Sequence, residues 1–285
     1  MTSKHPGYTY RQFCEKLVSS AGKGNVRPFS DFSFKKTEGF PFDIDQTQTE
    51  GKKNIIMRHD VDHDPEVARN LARVEKETGV RSTFFALTAD TSRRWWINEE
   101  ARKKMIEWYQ EIQDMGHEVG LHYDFLGEYF SLGKDPKESS EEILSVFRSN
   151  GLKISGCASH GSSTMRGFVG SNFGQPYPKD YINYRVWREV NKDGARLESN
   201  SKTLNTPCMS LRSQGLMYES YFVRKDWYLS DSGGNFWTGG PSLKTDGKHL
   251  SSTKNDPCVT ASDCMKKGEI MQILVHPIWW KANLG

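Results

Sequence analysis

Between Asn54 and His160 the chain alternates short apolar runs with amphipathic stretches, and few folds accept such an alternation. The first run, Ile55-Ile56-Met57, is bounded by polar residues and has the character of a buried strand. Asp64-Pro65-Glu66 then marks a helix start: an N-cap acceptor, a proline in the first turn and an acid at the positive end. Val67, Leu71 and Val74 give that helix its buried stripe, and Gly79 stops it. Residues 80–87, VRSTFFAL, read as a second strand. Asn98 caps a helix whose apolar positions fall at Ala101, Met105, Trp108, Ile112 and Met115, ending at Gly116. Residues 117–123, HEVGLHY, form a third strand. Asp135 and Glu138 flank Pro136 in a capping-box pattern, and the helix they open runs to Asn150-Gly151. Ile154 leads a fourth strand toward His160.

Strands and helices in strict alternation imply parallel βαβ units. Outside this block, residues 8–20 predict a helix with Tyr10, Phe13, Cys14, Leu17 and Val18 on one stripe. Residues 161–215, rich in Gly, Ser, Asn and Pro, read as a loop-rich insertion with one helix near 180–191. Structure resumes over 216–229 and ends in the strand Met271–Val275. A single domain over 1–285 accommodates all of this, with 1–50 as an N-terminal helix and extension. A closed or nearly closed (β/α) barrel is the expected architecture, with an open doubly wound sheet as the alternative. The turn after the first strand is rich in Asp and His and lacks glycine. No GxGxxG or GxxxxGK[ST] occurs, which disfavours dinucleotide and nucleoside triphosphate chemistry.

The formal net charge of +3, from 39 basic and 36 acidic residues, gives no support to nucleic-acid or anionic-membrane binding. No apolar run reaches the 18 residues that a membrane span requires. The opening MTSKHPGYTYRQF has no apolar stretch of the signal-peptide kind. The five cysteines (Cys14, Cys157, Cys208, Cys258, Cys264) read as reduced, mostly buried thiols, which with the preceding point gives a cytoplasmic expectation. A loop disulfide or half a zinc site at Cys258 and Cys264 is the lesser alternative.

The chemistry-bearing residues fall where strands end. Asp60 and Asp62 follow the first strand, His122 closes the third, His160 the fourth and His276 the last. In a parallel barrel those ends share one face, where active sites sit. An i, i+2 pair of carboxylates on a strand faces the same way, and a divalent cation relieves their repulsion. Nearby imidazoles select zinc or another transition ion over magnesium. His117, at the beginning of its strand, reads as structural. His276, followed by Ile278-Trp279-Trp280, reads equally as a packed histidine or as a general acid with an aromatic wall for a sugar ring.

RHDVDHDP, followed by VRSTFF, GHEVGLHYD and LVHPIWW, resembles the polysaccharide-deacetylase family, particularly a branch associated with bacterial surface-polysaccharide biosynthesis. The resemblance covers about residues 50–130, 150–160, 218–235 and 270–281. It implies a distorted (β/α)7-type barrel and a metal-dependent deacetylase acting on an acylated amino sugar or oligosaccharide. In that reading Asp60 is the general base, Asp62 binds the metal and His276 is the proton donor. The family's second motif supplies two metal histidines four residues apart. Here His122 is the first, Leu126 stands at the second position, and His160 becomes the substitute ligand beside Asp62 and His122. His160 falls where many members carry an arginine that orients the base, so that orientation passes to Asp231. Trp279, Trp280, His63 and Asp124 complete the expected site as substrate-binding residues, with Zn2+ the expected cofactor. The rival readings are a metal-free glycoside hydrolase, with Asp60 or Asp62 paired to another carboxylate, and a non-catalytic glycan-binding protein on the same fold.

Overall fold

A computed structural model describes residues 7–35, 42–88, 98–161, 186–188, 196–199, 202–205, 208–241 and 256–285. Among these, α1 (Tyr10–Ala21) precedes β1 (Val26–Arg27) and β2 (Asn54–Val61), and α2 (Pro65–Thr78) leads to β3 (Thr83–Leu87). Then come α3 (Glu99–Asp114), β4 (Glu118–Tyr123), α4 (Phe125–Leu132), α5 (Pro136–Ser149) and β5 (Ile154–Ser159). The hairpin β6 (Arg196–Ser199) and β7 (Lys202–Asn205) is followed by β8 (Tyr218–Glu219), β9 (Trp227–Ser230), β10 (Thr238–Pro241) and β11 (Ile270–Val275).

The main sheet runs β10-β9-β11-β2-β3-β4-β5-β8, every pair parallel except β9 with the edge strand β10. Its ninth strand, β1, pairs with β2 at Ile55 and Ile56, below the point where β3 takes over at Arg58. Chain length forces this sheet to curl. β8 and β9 lie six strand spacings apart along the sheet, about 29 Å if flat. Eight residue steps join Glu219 to Trp227, at most about 26–29 Å fully extended, and the 3-10 turn Ser220–Phe222 takes up part of that length. The result is a half-barrel. The expected closure does not occur among the described residues, because β8 and β10 remain unpaired edges.

Two glycines give room to the rings that fill the inside of the curl. A Cβ on Gly156 would lie 2.0 Å from Cζ of Tyr218, and one on Gly120 2.5 Å from the Phe85 ring. Phe29 stacks on Tyr218 from below at 4.7 Å. Beneath them the buried Glu118 carboxylate accepts from Ser30 N, Thr83 Oγ1, Ser155 Oγ and Tyr218 Oη. Burial raises its pKa despite those donors.

The predicted helices form with small corrections. α1 carries a full Thr9–Gln12 capping box, and Asn98 and Asp135 cap α3 and α5 with their side chains. Asp64 stands at the N-cap of α2 but does not cap it. Its backbone is left-handed (φ 48), which turns the carboxylate away to accept from Lys281 Nζ at 2.8 Å. On α3 the buried stripe is Met105, Ile106, Tyr109 and Ile112, while Trp108 lies half-exposed beneath Arg69 and Lys104. The insertion read as loops contains the β6–β7 hairpin and a buried Trp187 that bridges to Met209. Of the helix expected near 180–191 only residues 186–188 are described, and they are not α-helical. All five cysteines are free thiols, three of them buried, with Cys264 exposed and Cys208 between. No helix among the described residues is long and apolar enough to cross a membrane.

Gly156→Ala should destabilise the fold by about 1–3 kcal/mol, because the Tyr218 ring cannot yield without breaking its bond to Glu118. Urea unfolding at unchanged m measures this, and a loss below about 0.5 kcal/mol would contradict the packing described.

Candidate functional site

β2 positions most of the site. Its alternation sends Arg58 and Asp60 to the inside of the curl and His59 to the outside. All three are at most 3% exposed. Outside, His59 Nε2 meets Glu75 Oε1 at 2.7 Å, and Tyr10 and Ser82 donate to the same carboxylate. Burial opposes ionisation of Glu75, but His59 and then His117 outweigh it and lower its pKa. His117 bonds Ala72 O at 3.0 Å, so it belongs to this scaffold on the outer face of the sheet, as its position in the sequence indicated.

Inside, Arg58 Nη2 donates to Asp60 Oδ2 at 2.9 Å, and Nη1 donates to Ser220 Oγ across the half-barrel. The other oxygen, Asp60 Oδ1, is buried and accepts no hydrogen bond among the described residues. One residue beyond the strand, Asp62 Oδ1 lies 3.0 Å from His122 Nε2. Asp60 Oδ2 is 3.9 Å from the same nitrogen. His122 is buried at the end of β4, and its Nδ1 donates to Ala158 O at 2.9 Å, leaving Nε2 to face the two carboxylates. Burial disfavours its charged form, but Asp60 and Asp62 outweigh burial and raise its pKa. Burial likewise opposes ionisation of Asp62, yet the facing His122, with His160 and His276 behind it, holds that carboxyl well below the usual range.

His160 follows β5, tied by its backbone N–H to Tyr123 O at 2.8 Å. Its Nε2 is 4.0 Å from Asp62 Oδ1, and its ring stands edge-on to His122 at 5.1 Å. One ligand atom each from Asp62, His122 and His160 therefore lies within 4.8 Å of the others. Among the described residues Asp62 Oδ1 accepts no well-directed hydrogen bond, although His122 Nε2 is at 3.0 Å. Donor atoms that converge so closely suit a common cation, and one carboxylate with two imidazoles is a donor set that zinc-class ions accept. Leu126, four residues after His122, is buried within the core on the first turn of α4, so its position offers no ligand.

His276 follows β11 and is 12% exposed at its side chain. Asp231, fully buried at the end of β9, accepts from His276 N at 3.0 and 3.1 Å and meets Nδ1 at 2.7 Å. It also accepts from Trp280 Nε1 at 3.2 Å. Burial opposes the charge on His276, but the Asp231 bond and charge outweigh it and, with Asp62 and Asp60, push its pKa up to about 9. With Nδ1 committed, Nε2 is the atom free to exchange a proton.

Several expected roles change on this geometry. Asp231 orients His276 and not Asp60, whose partner is Arg58. The signal for Arg58 was in the sequence, two residues before Asp60 and therefore on the same face of the strand. Trp280 cannot meet a sugar: it is wholly buried among Tyr8, Tyr10, Phe13, Phe236 and Trp237. Trp279 is half-buried against Gly234 and keeps a face toward solvent. Asp124 is buried with Oδ2 3.9 Å from His160 Nδ1, so it stands behind that histidine and not on an open surface. His63 is exposed at the rim. Thr88, just past β3, was not anticipated, and its buried hydroxyl has no partner among the described residues. Compared with known proteins, the chain matches no family model, no curated protein and no solved structure.

Proposed function

We propose that this protein is a metal-dependent hydrolase of the polysaccharide-deacetylase kind, removing an acyl group from an amino sugar or glycan precursor. One observation carries the reading: a carboxylate and two imidazoles converge beside an arginine-held aspartate and an aspartate-held histidine, all at the carboxyl ends of parallel strands. The curled sheet is in keeping with a distorted (β/α)7-type barrel. The five free thiols fit a reducing, cytoplasmic setting, where glycan precursors are assembled.

Asp62, His122 and His160 would hold the ion, which when bound supplies Lewis acidity toward a carbonyl oxygen and toward water. The remaining steps belong to the chain's own side chains. Arg58 keeps one oxygen of Asp60 engaged, so Oδ1 is the atom that takes the proton from the attacking water. The new C–O bond forms at the acyl carbon. His276, protonated at neutral pH and steadied by Asp231, gives its Nε2 proton to the amine as the C–N bond breaks. The products are a free amino sugar and a carboxylic acid. Asp60 and Asp62 both approach a single histidine, which does not suit the opposed carboxylates of a glycoside hydrolase.

Asp62→Ala, His122→Ala and His160→Ala should each lose stoichiometric zinc after dialysis, since two ligands do not retain it. Elemental analysis checks this, and full zinc content in all three variants would end the proposal. Deacylation should also fall as pH rises through about 9, where His276 loses its proton. Asp231→Asn removes the largest influence raising that pKa, so the alkaline limb should move to lower pH by about one unit or more. A limb that stays in place would refute the pairing. Finally, Asp60→Asn and His276→Ala should each cut amide turnover by about 10²–10⁴-fold. On an activated ester, whose leaving group needs no proton, His276→Ala should recover much of its rate while Asp60→Asn stays slow. Equal rescue of both would reverse or merge the assigned roles.

A further inference from the structure

A cavity of about 520 Å³ opens at the other end of the half-barrel, at the amino ends of β9 and β11. It lies about 20 Å from His276, the length of β11 at about 3.3 Å per residue. Lys35, Arg224, Lys225, Lys266 and Lys267 line it, against the carboxylates Asp43, Asp226 and Glu269. The proposed hydrolase uses none of these groups.

The carboxylates are committed to the walls. Asp43 pairs with Arg224 Nε at 2.9 Å, and Asp226 Oδ2 accepts from Ile270 N at 2.9 Å. Glu269 Oε2 accepts from Trp227 Nε1 and Lys266 N, both at 3.0 Å. Lys225 is buried, its Nζ donating to Tyr221 O and Val223 O. Lys35, Lys266 and Lys267 differ. All three are exposed, and among the described residues their side chains make no ion pair.

Their backbones are fixed on two sides of the cavity. Lys35 N bonds Asp43 O at 2.8 Å. Lys266 and Lys267 occupy a turn closed by Glu269 N to Lys266 O at 3.2 Å, anchored by Gly268 N to Lys52 O at 2.7 Å. That turn needs Gly268 at φ 94, a conformation that favours glycine. Three unpaired ammonium groups held around one concavity repel each other unless an anion joins them. Wall carboxylates weaken the attraction for a weakly charged ligand, so a compact dianion that meets all three lysines gains most. The volume falls in the range of small-molecule sites, with room for a body of about sugar size behind the charge.

We infer that this cavity is a second binding site, specific for a phosphate monoester of a small molecule and separate from the Asp/His cluster. Its existence does not depend on the hydrolase reading. Glucose 1-phosphate and inorganic phosphate, titrated calorimetrically into the full-length protein, should bind saturably with dissociation constants of about 1 mM or tighter, while glucose gives no heat. Affinity should weaken as salt is raised. The triple variant Lys35→Gln/Lys266→Gln/Lys267→Gln, changed only at exposed positions, should bind at least about tenfold more weakly. His122→Ala should bind as the wild type does. In the NMR spectrum the Trp227 indole N–H, which reports the cavity wall, should shift on binding, while that of Trp280 stays in place. The inference falls if neither phosphate binds saturably, if the triple variant binds unchanged, or if His122→Ala abolishes binding, which would put the phosphate at the other end.

Discussion

Buried charge on one strand constrains everything else in this structure. β2 carries Arg58, His59 and Asp60 in succession, none more than 3% exposed. An unpaired charge in such a place costs several kcal/mol, so each must be answered by a fixed partner. Arg58 and Asp60 answer each other inside the curl, with Ser220 as the second anchor. His59 is answered outside by Glu75 of α2, which also gathers Tyr10 of α1 and Ser82 before β3. Beyond β2 itself, those partners come from α1, α2, the residue before β3 and the turn after β8. The same contacts that neutralise β2 therefore dock both helices on the sheet and fix where the link after β8 must pass.

That dependence explains the offset between scaffold and site. The outer network converges on one carboxylate: Glu75 meets His59, Tyr10, Ser82 and His117. Among the described residues the inner one leaves Asp60 Oδ1, Asp62 Oδ1 and the Thr88 hydroxyl without a hydrogen bond, all buried and all at the carboxyl end of the sheet. Their gathering at one end of the sheet is in keeping with the metal and water of the proposed mechanism. Packing alone would have filled those positions with apolar side chains, as it did at Leu126.

Much of this was legible in the sequence because periodicity and strand ends are local properties. The alternation from Asn54 to His160 located four strands and their helices, and the strand-end rule singled out Asp60, Asp62, His122, His160 and His276. What escaped depends on pairings between distant segments. Nothing near Asp231 shows that β9 lies beside β11, and only that adjacency places Asp231 against His276 rather than Asp60. Trp280 resembles a surface aromatic until α1 and the 236–237 segment are seen to enclose it. The open edge of the sheet was likewise hidden, because strand count does not reveal whether the last strand finds the first. Arg58 is the exception, since its i, i+2 relation to Asp60 was readable and passed over.

In the proposed mechanism the two aspartates at the strand ends serve a base and an acid within one site. Asp60 and Asp231 are both buried carboxylates at strand ends. Their partners separate them. Arg58 carries a permanent charge and cannot take up or release a proton in this pH range, and its bond engages Oδ2 alone, leaving Oδ1 as the open acceptor among the described residues. His276 can titrate, so Asp231 transfers its influence to the imidazole, whose pKa rises to about 9 and which therefore enters neutral solution carrying a proton. In the proposed mechanism the arginine-held aspartate receives a proton, whereas the aspartate-held histidine donates one. On that proposal, the choice of partner, arginine two residues away on the same strand or histidine at the end of the neighbouring strand, assigns opposite proton roles to chemically identical groups.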